Sequence, residues 1–250
     1  MFPIQDSVPR RCPPLMTWGL ITVNVLIFYL ETGISEPELE RLIYGYGIVP
    51  AKITDYLDWN GIGGVFSDAI MPFFTSMFIH GGWVHIIGNM WILWIFGDNV
   101  EDEMGPLRFL IFYLLCGLCA GIVHVVSNPG SLIPTVGASG AIAGVMGAYF
   151  VLFPRARIIM MIPIFIFPFF FEIPAYFFLA YWFVQQVFSG AISLVAAGNV
   201  SGIAWWAHAG GFIFGVIIHR LFIYVRPVPC RRNDSMMDHP WGIWSSGERF

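Results

Sequence analysis

Four side chains in this sequence are of the types and spacing that acyl transfer requires. Ser139 stands in Gly137-Ala138-Ser139-Gly140, and His208 in Trp206-Ala207-His208-Ala209-Gly210-Gly211. His85 and Asn89 lie in His80-Gly-Gly-Trp-Val-His85-Ile-Ile-Gly-Asn89. A serine hydroxyl is a weak nucleophile that needs an adjacent base, and His208 is the natural one. The intermediate that follows needs N–H donors aimed at its oxyanion. His85 and Asn89, spaced i and i+4, share one helix face and can supply two. The backbone N–H of Ser139 supplies a third if a helix begins there, because first-turn N–H groups have no intrahelical acceptor. No Asp or Glu lies at the same depth, so the set reads as a Ser-His dyad without a visible third member. His80, one turn further out, reads as a loop-anchoring residue. A metal site from His80, His85 and His208 is the competing reading. The His-Glu-x-x-His signature that would support it is missing, so no metal is expected.

The elements that must position these groups are membrane helices. The chain is 57% hydrophobic and only 11% charged, with mean hydropathy +0.73. Soluble domains average about 25% charged residues, so this chain lacks the charge to cover a water-facing surface, and its class is membrane protein. A net charge of −4 without a basic patch leaves nucleic acid out as a partner. Of the four cysteines, Cys116 and Cys119 lie in an apolar run and read as buried small residues. No disulfide framework is suggested.

Six apolar segments fit a bilayer, at roughly 14–31, 79–97, 106–126, 137–153, 173–194 and 203–225. The expected fold is an all-α bundle of six transmembrane helices. Residues 1–14 form a polar cytoplasmic segment, 15–225 the catalytic domain and 226–250 a polar cytoplasmic tail. Residues 158–187 are too long for one span, and Pro163, Pro168 and Pro174 interrupt them. The fifth span therefore starts near Ile173, with Glu172 as an acidic helix-start residue. Residues 158–171 become an interfacial segment rich in Phe and Met. Of the 12 Lys and Arg residues, only Arg41 and Lys52 fall on the outer side, which places both termini in the cytoplasm.

Depth ties the chemistry to the spans. At about 1.5 Å per residue, Ser139, His208 and His85 each lie about 8–12 Å below the outer face of a core about 30 Å thick. Gly140, Gly144 and Ala148 form a small-residue stripe, and His208, Gly211 and Gly215 share a face. Small residues let membrane helices approach closely, which would bring Ser139 to His208. If the fourth helix begins at Ser139, residues 127–138 enter the membrane unwound. Such backbone is tolerated only where it is buried in protein or lines a watery cavity.

At these residues the sequence resembles the rhomboid family. The 80–89 stretch is similar to its His-x4-His-x3-Asn motif, 137–140 to its serine motif and 207–211 to its histidine motif. Gly97-Asp98-Asn-Val-Glu101-Asp-Glu-Met-Gly105 and Pro154-Arg155-Ala-Arg157 look like connecting segments of bacterial members. The resemblance implies a six-helix core in which Ser139 and His208 are catalytic, His85 and Asn89 stabilise the oxyanion, and His80, Gly137, Gly140 and Gly211 support them. It implies transmembrane protein substrates, a multi-pass location in a bacterial inner (plasma) membrane, and no metal or organic cofactor. Trp182 and Phe183 become gate candidates on the fifth helix. Two departures stand out. Met71-Pro72-Phe73-Phe74-Thr75 replaces the family's Trp-Arg stretch, and Ala143 replaces the aromatic that stacks on the catalytic histidine. Histidine orientation must then come from elsewhere. A client-binding protein without activity, a small transporter and a metalloprotease are the alternatives. The first would lack the serine or histidine, and the second would show inverted repeats.

Overall fold

The long apolar runs form helices wherever proline does not interrupt them. The computed structural model describes residues 2–60, 69–165, 167–195 and 204–223. In chain order these hold strand β1 (Phe2–Asp6), α1 (Leu15–Glu31), α2 (Glu36–Tyr46), α3 (Pro50–Asn60) and α4 (Met71–Thr75). Then follow α5 (Trp83–Met104), α6 (Pro106–Ser127), α7 (Ser139–Leu152), β2 (Arg157–Ile164), β3 (Phe167–Pro174), α8 (Ala175–Val195) and α9 (Trp205–Phe222). Among the described residues, Pro106–Ser127 and Ala175–Ser193 are long and apolar enough to cross a bilayer, while Leu15–Glu31 and Ser139–Leu152 are apolar but shorter. The tail 226–250 and the loop 195–202 fall outside the described residues, apart from Val195.

Helix α7 is the axis of the bundle. Every residue from Gly140 to Tyr149 is buried, and α5, α6, α8 and α9 all pack on it. The outer helices keep apolar side chains on the perimeter. Val25, Leu26 and Leu30 of α1, Val84 and Ile87 of α5, Phe177, Tyr181 and Phe188 of α8, and Ile217 and Leu221 of α9 are exposed. In water such faces would be a liability; against lipid tails they are the matching surface.

The all-α expectation needs a correction. Residues 157–164 and 167–174 pair as antiparallel strands, and β1 adds to them, giving a three-stranded sheet of order β1-β2-β3. The segment 158–171 is an unbroken run of Ile, Met, Phe and Pro, so it carries no polar period to separate strand from helix. Its β-branched and aromatic content favours a strand. Pro163 and Pro168 pair across the two strands close to their ends, where a missing N–H is tolerated far better than inside a helix. Helix α8 accordingly starts at Ala175 rather than Ile173. Glu172 is a strand residue facing Arg157 at 3.4 Å, not a helix-start acid.

The N-terminal segment is likewise part of the folded body. The Glu101 carboxylate on α5 accepts hydrogen bonds from the backbone N–H groups of Met16 and Thr17 at 2.9 and 2.7 Å and from the Thr17 hydroxyl at 2.8 Å. These are orphan donors of the first turn of α1, so an acid on one helix caps another. Asp102 accepts from the Cys12 N–H at 3.0 Å, and Glu103 pairs with Arg11. Cys12 is also disulfide-bonded, which departs from the sequence expectation. Asp6, at the end of β1, is buried between α5 and α7. One of its oxygens accepts from Asn99 Nδ2 at 2.8 Å and from the Tyr149 hydroxyl.

Burial pushes the Asp6 carboxyl up to about 7, with the neighbouring Asp98 adding to the rise and the Tyr149 hydrogen bond opposing it. The folded protein thus holds a proton that the unfolded chain has lost. This contribution to stability is complete below the ordinary carboxylate range and is lost as pH rises through about 7. Thermal unfolding in detergent should therefore show the wild type losing stability between about pH 5 and about pH 8 relative to Asp6→Asn, whose amide oxygen keeps both donors. Parallel profiles for the two proteins would show that Asp6 does not titrate in this range.

Candidate active site

Backbone contact between α7 and α9 builds the site. A Cβ at Gly211 would run into the Gly140 carbonyl oxygen, one at Gly215 into the Gly144 carbonyl oxygen, and one at Gly147 into the carbonyl oxygen of Phe212. The two helices touch along main-chain atoms, as small-residue stripes allow. The stripe that meets α9 is Gly140-Gly144-Gly147, one position round from the face holding Ser139. Helix α6 closes the third side, where Gly140 leaves no room beside the Ala120 methyl and Gly144 none beside Cys116.

Ser139 is the first residue of α7, and His208 lies in the first turn of α9. Their Oγ and Nε2 atoms are 2.8 Å apart. The other ring nitrogen of His208, Nδ1, is 2.8 Å from Oε1 of Gln186 on α8. Gln186 is buried, and its Nε2 donates to the Trp182 carbonyl oxygen at 3.1 Å. The Trp182 ring lies beside the imidazole, with centroids 5.8 Å apart. Trp182 and Phe183, the gate candidates, both pack on Phe212 of α9. They form the seam between α8 and α9 rather than an outward edge. Gln186 is missing from the residues picked out by sequence. The signal was there, an amide inside an apolar span, where polar groups default to function. Ala143 is wholly buried and leaves the face of His208 to Trp182.

His85 and Asn89 come to the same point from α5. A Cβ at Gly137 would lie 2.5 Å from His85 Cε1, 2.6 Å from its Nε2 and 3.5 Å from Asn89 Nδ2. Gly137 also has φ +122°, a conformation that costs a side chain strain. It therefore lets the His85 ring and the Asn89 amide close on the backbone just before Ser139. The Asn89 amide nitrogen is buried and has no acceptor among the described residues. His80 precedes α5 rather than lying within it. Its backbone N–H donates to the Glu31 carboxylate at 3.2 Å, and its ring meets His85 edge-on with centroids 5.2 Å apart.

Residues 128–138 are not helical, and protein groups satisfy much of their backbone. Ile48 and Thr135 exchange a pair of hydrogen bonds, Ala51 N–H donates to Ser131, and Gly137 N–H donates to Ser76 at 2.8 Å. His124, for which the sequence offers no partner, is 2.8 Å from the Thr135 hydroxyl. Thr75, in the stretch that replaces the Trp-Arg pair, donates to the Tyr46 carbonyl at 2.6 Å and ties α4 to the end of α2. Behind Ser139 lies a cavity of about 30 Å³, lined by Ser76, His124, Thr135 and Gly137 among others. That is room for a water.

The helix contact is testable. Gly211→Ala should force α7 and α9 apart, lowering the thermal midpoint and abolishing reaction of Ser139 with a fluorophosphonate. Gly88→Ala on α5, where a Cβ meets nothing within 4 Å, should leave both unchanged. A Gly211→Ala protein as stable and reactive as the wild type would contradict this packing.

The Rhomboid domain family matches residues 67–225. Presenilin-associated rhomboid-like protein, mitochondrial, of Homo sapiens is 28% identical over 204 residues, covering 79% of this chain and 46% of that protein. RHOMBOID-like protein 6, mitochondrial, of Arabidopsis thaliana is 35% identical over 156 residues, 53% of this chain and 50% of that protein. Rhomboid protease GluP of Bacillus subtilis (strain 168) is 30% identical over 145 residues, 58% and 26% respectively. The chain thus spans about half the length of the first two relatives and about a quarter of the third. The family match covers more than half of this chain and includes Ser139, His208, His85 and Asn89. The chain belongs to the rhomboid family and is a helical integral membrane protein.

Proposed function

We propose that this protein is an intramembrane serine endopeptidase that hydrolyses peptide bonds in or near transmembrane segments of other proteins. The observation that carries the reading is the 2.8 Å approach of Ser139 Oγ to His208 Nε2, beside a buried amide donor, Asn89 Nδ2, that has no acceptor among the described residues. A buried donor left unpaired costs about 1–3 kcal/mol. In this reading the donor is left for the oxygen that arrives during the reaction.

In this mechanism His208 Nε2 takes the Ser139 proton as Oγ attacks the scissile carbonyl carbon. The resulting oxyanion accepts from Asn89 Nδ2, from the His85 ring N–H and from the free backbone N–H at the start of α7. The imidazolium returns its proton to the leaving amine, giving an acyl-enzyme and an amine product. Water, which the cavity behind Ser139 can hold, then attacks the ester with His208 again as base. No metal or organic cofactor enters these steps. Gly137, Gly140 and Gly211 support the site by allowing close approach, and His80 holds the start of α5 against Glu31.

Helices α1, α5, α6, α7, α8 and α9 are the six spans of this reading, with residues 15–225 as the catalytic domain. The arginine bias places both termini in the cytoplasm. The connecting segments similar to bacterial members favour a bacterial plasma membrane, although relatives named as mitochondrial share the domain. The Bacillus relative, named a rhomboid protease, supports activity over the client-binding alternative.

Labelling of detergent-purified protein with a fluorescent fluorophosphonate tests the reading. Wild type should label, and Ser139→Ala and His208→Ala should not. Asn89→Ala should lower turnover of a model transmembrane substrate about 10²-fold, the scale for losing one oxyanion donor. A well-folded wild type that neither labels nor cleaves would point instead to client binding.

A further inference from the structure

The structure also says what orients the base. We propose that Gln186 is the positioning residue of His208, holding its imidazole in the tautomer that can deprotonate Ser139. The inference rests on the protease reading and deepens it by adding a third member to the hydrogen-bonded chain.

The assignment follows from what each atom can do. The Trp182 carbonyl oxygen only accepts, so the Gln186 atom facing it at 3.1 Å must be the amide nitrogen. The Gln186 atom facing His208 is then the amide oxygen, 2.8 Å from Nδ1. That oxygen also only accepts, so Nδ1 must carry the ring proton. A neutral imidazole protonated at Nδ1 has its lone pair on Nε2, which faces Ser139 Oγ at 2.8 Å. Reversing the amide would set two acceptor oxygens against each other at Trp182, so the chain has one consistent assignment.

Burial and placement strengthen the case. Gln186 is 3% exposed, so water does not compete for its oxygen. Trp182, one turn earlier on the same face of α8, lies beside the imidazole. Between them α8 supplies both an in-plane acceptor and an aromatic neighbour, while α7 offers only Ala143. The bond bridges α8 and α9, so it exists only while these helices are packed together. Helix α8 is also thinly enclosed, with 22% of its apolar window buried against 50% for α6. A neutral amide gives less than a carboxylate would. It fixes tautomer and direction without adding charge inside the membrane, where an ionised side chain is expensive.

The test compares wild type, Gln186→Leu, Gln186→Glu and Ser139→Ala, measuring fluorophosphonate labelling, kcat and KM on a model transmembrane substrate, and the pH profile. Gln186→Leu keeps the bulk and loses the acceptor. It should lower kcat about 10²-fold with KM little changed; disturbing the tautomer in a serine protease triad costs up to about 10⁴. Gln186→Glu should recover most of the labelling and move the acidic limb of the profile to higher pH, because a carboxylate stabilises the imidazolium. If Gln186→Leu does not fold, the acidic limb of Gln186→Glu decides alone. Wild-type kcat in folded Gln186→Leu, or an unmoved limb in Gln186→Glu, would overturn the assignment. Wild type that labels no better than Ser139→Ala would instead remove the protease reading on which it rests.

Discussion

Main-chain contact between α7 and α9 is the constraint on which the rest of the structure depends. Gly140, Gly144 and Gly147 meet Gly211, Phe212 and Gly215 with no side chain between. Lipid tails are as apolar as leucine, so membrane helices gain little by hiding apolar side chains from one another; close van der Waals packing takes that role. The same contact sets the hydroxyl–imidazole distance. Ser139 precedes Gly140 by one residue and His208 precedes Gly211 by three, so the spacing of two helix axes becomes the 2.8 Å between Oγ and Nε2. A methyl group in this seam is a disturbance at the Ser139–His208 hydrogen bond.

The second constraint is the irregular chain that must enter the bundle before α7. An α7 that began earlier would carry Ser139 in mid-helix, where its N–H would be spent on a carbonyl one turn back. Starting the helix at Ser139 frees that N–H. The cost is unwound backbone at 128–138, offset by hydrogen bonds to Ile48, Ala51 and Ser76 and by the pair His124 and Thr135. The outer helices α2 and α3 therefore belong to the site's support as much as the spans do. His124, an orphan by sequence, is a strut of this loop.

At the other end of the helices the acids of α5 gather the N-terminal segment. Glu101 caps α1, Asp102 holds Cys12, Glu103 pairs with Arg11, and Asn99 and Tyr149 hold Asp6. The arrangement joins α5, which carries His85 and Asn89, to α7, which carries Ser139, through a strand that neither contains. The donors gathered at each buried acid offset part of the cost of burying it.

The sequence by itself determined that the chain lives in a membrane, roughly where its long apolar helices run, and which few polar residues could meet. A polar side chain in hydrocarbon costs so much that it seldom stands there without purpose, and helix rise converts position into depth. Ser139, His208, His85 and Asn89 were legible for that reason, as were the glycines whose lack of bulk only close packing explains. The strand pair 157–164 and 167–174 was not legible, because an unbroken apolar run has no period to separate strand from helix. Gln186 was passed over because its meaning depends on which neighbour its helix face meets. Only the tertiary structure decided that α8 turns that amide toward Nδ1, that α5 brings His85 and Asn89 to Gly137, and that an acid on α5 caps α1. These are relations between helices distant in the chain. They are set by how backbones and side chains fill the space between axes, and no local pattern of residues encodes that distance.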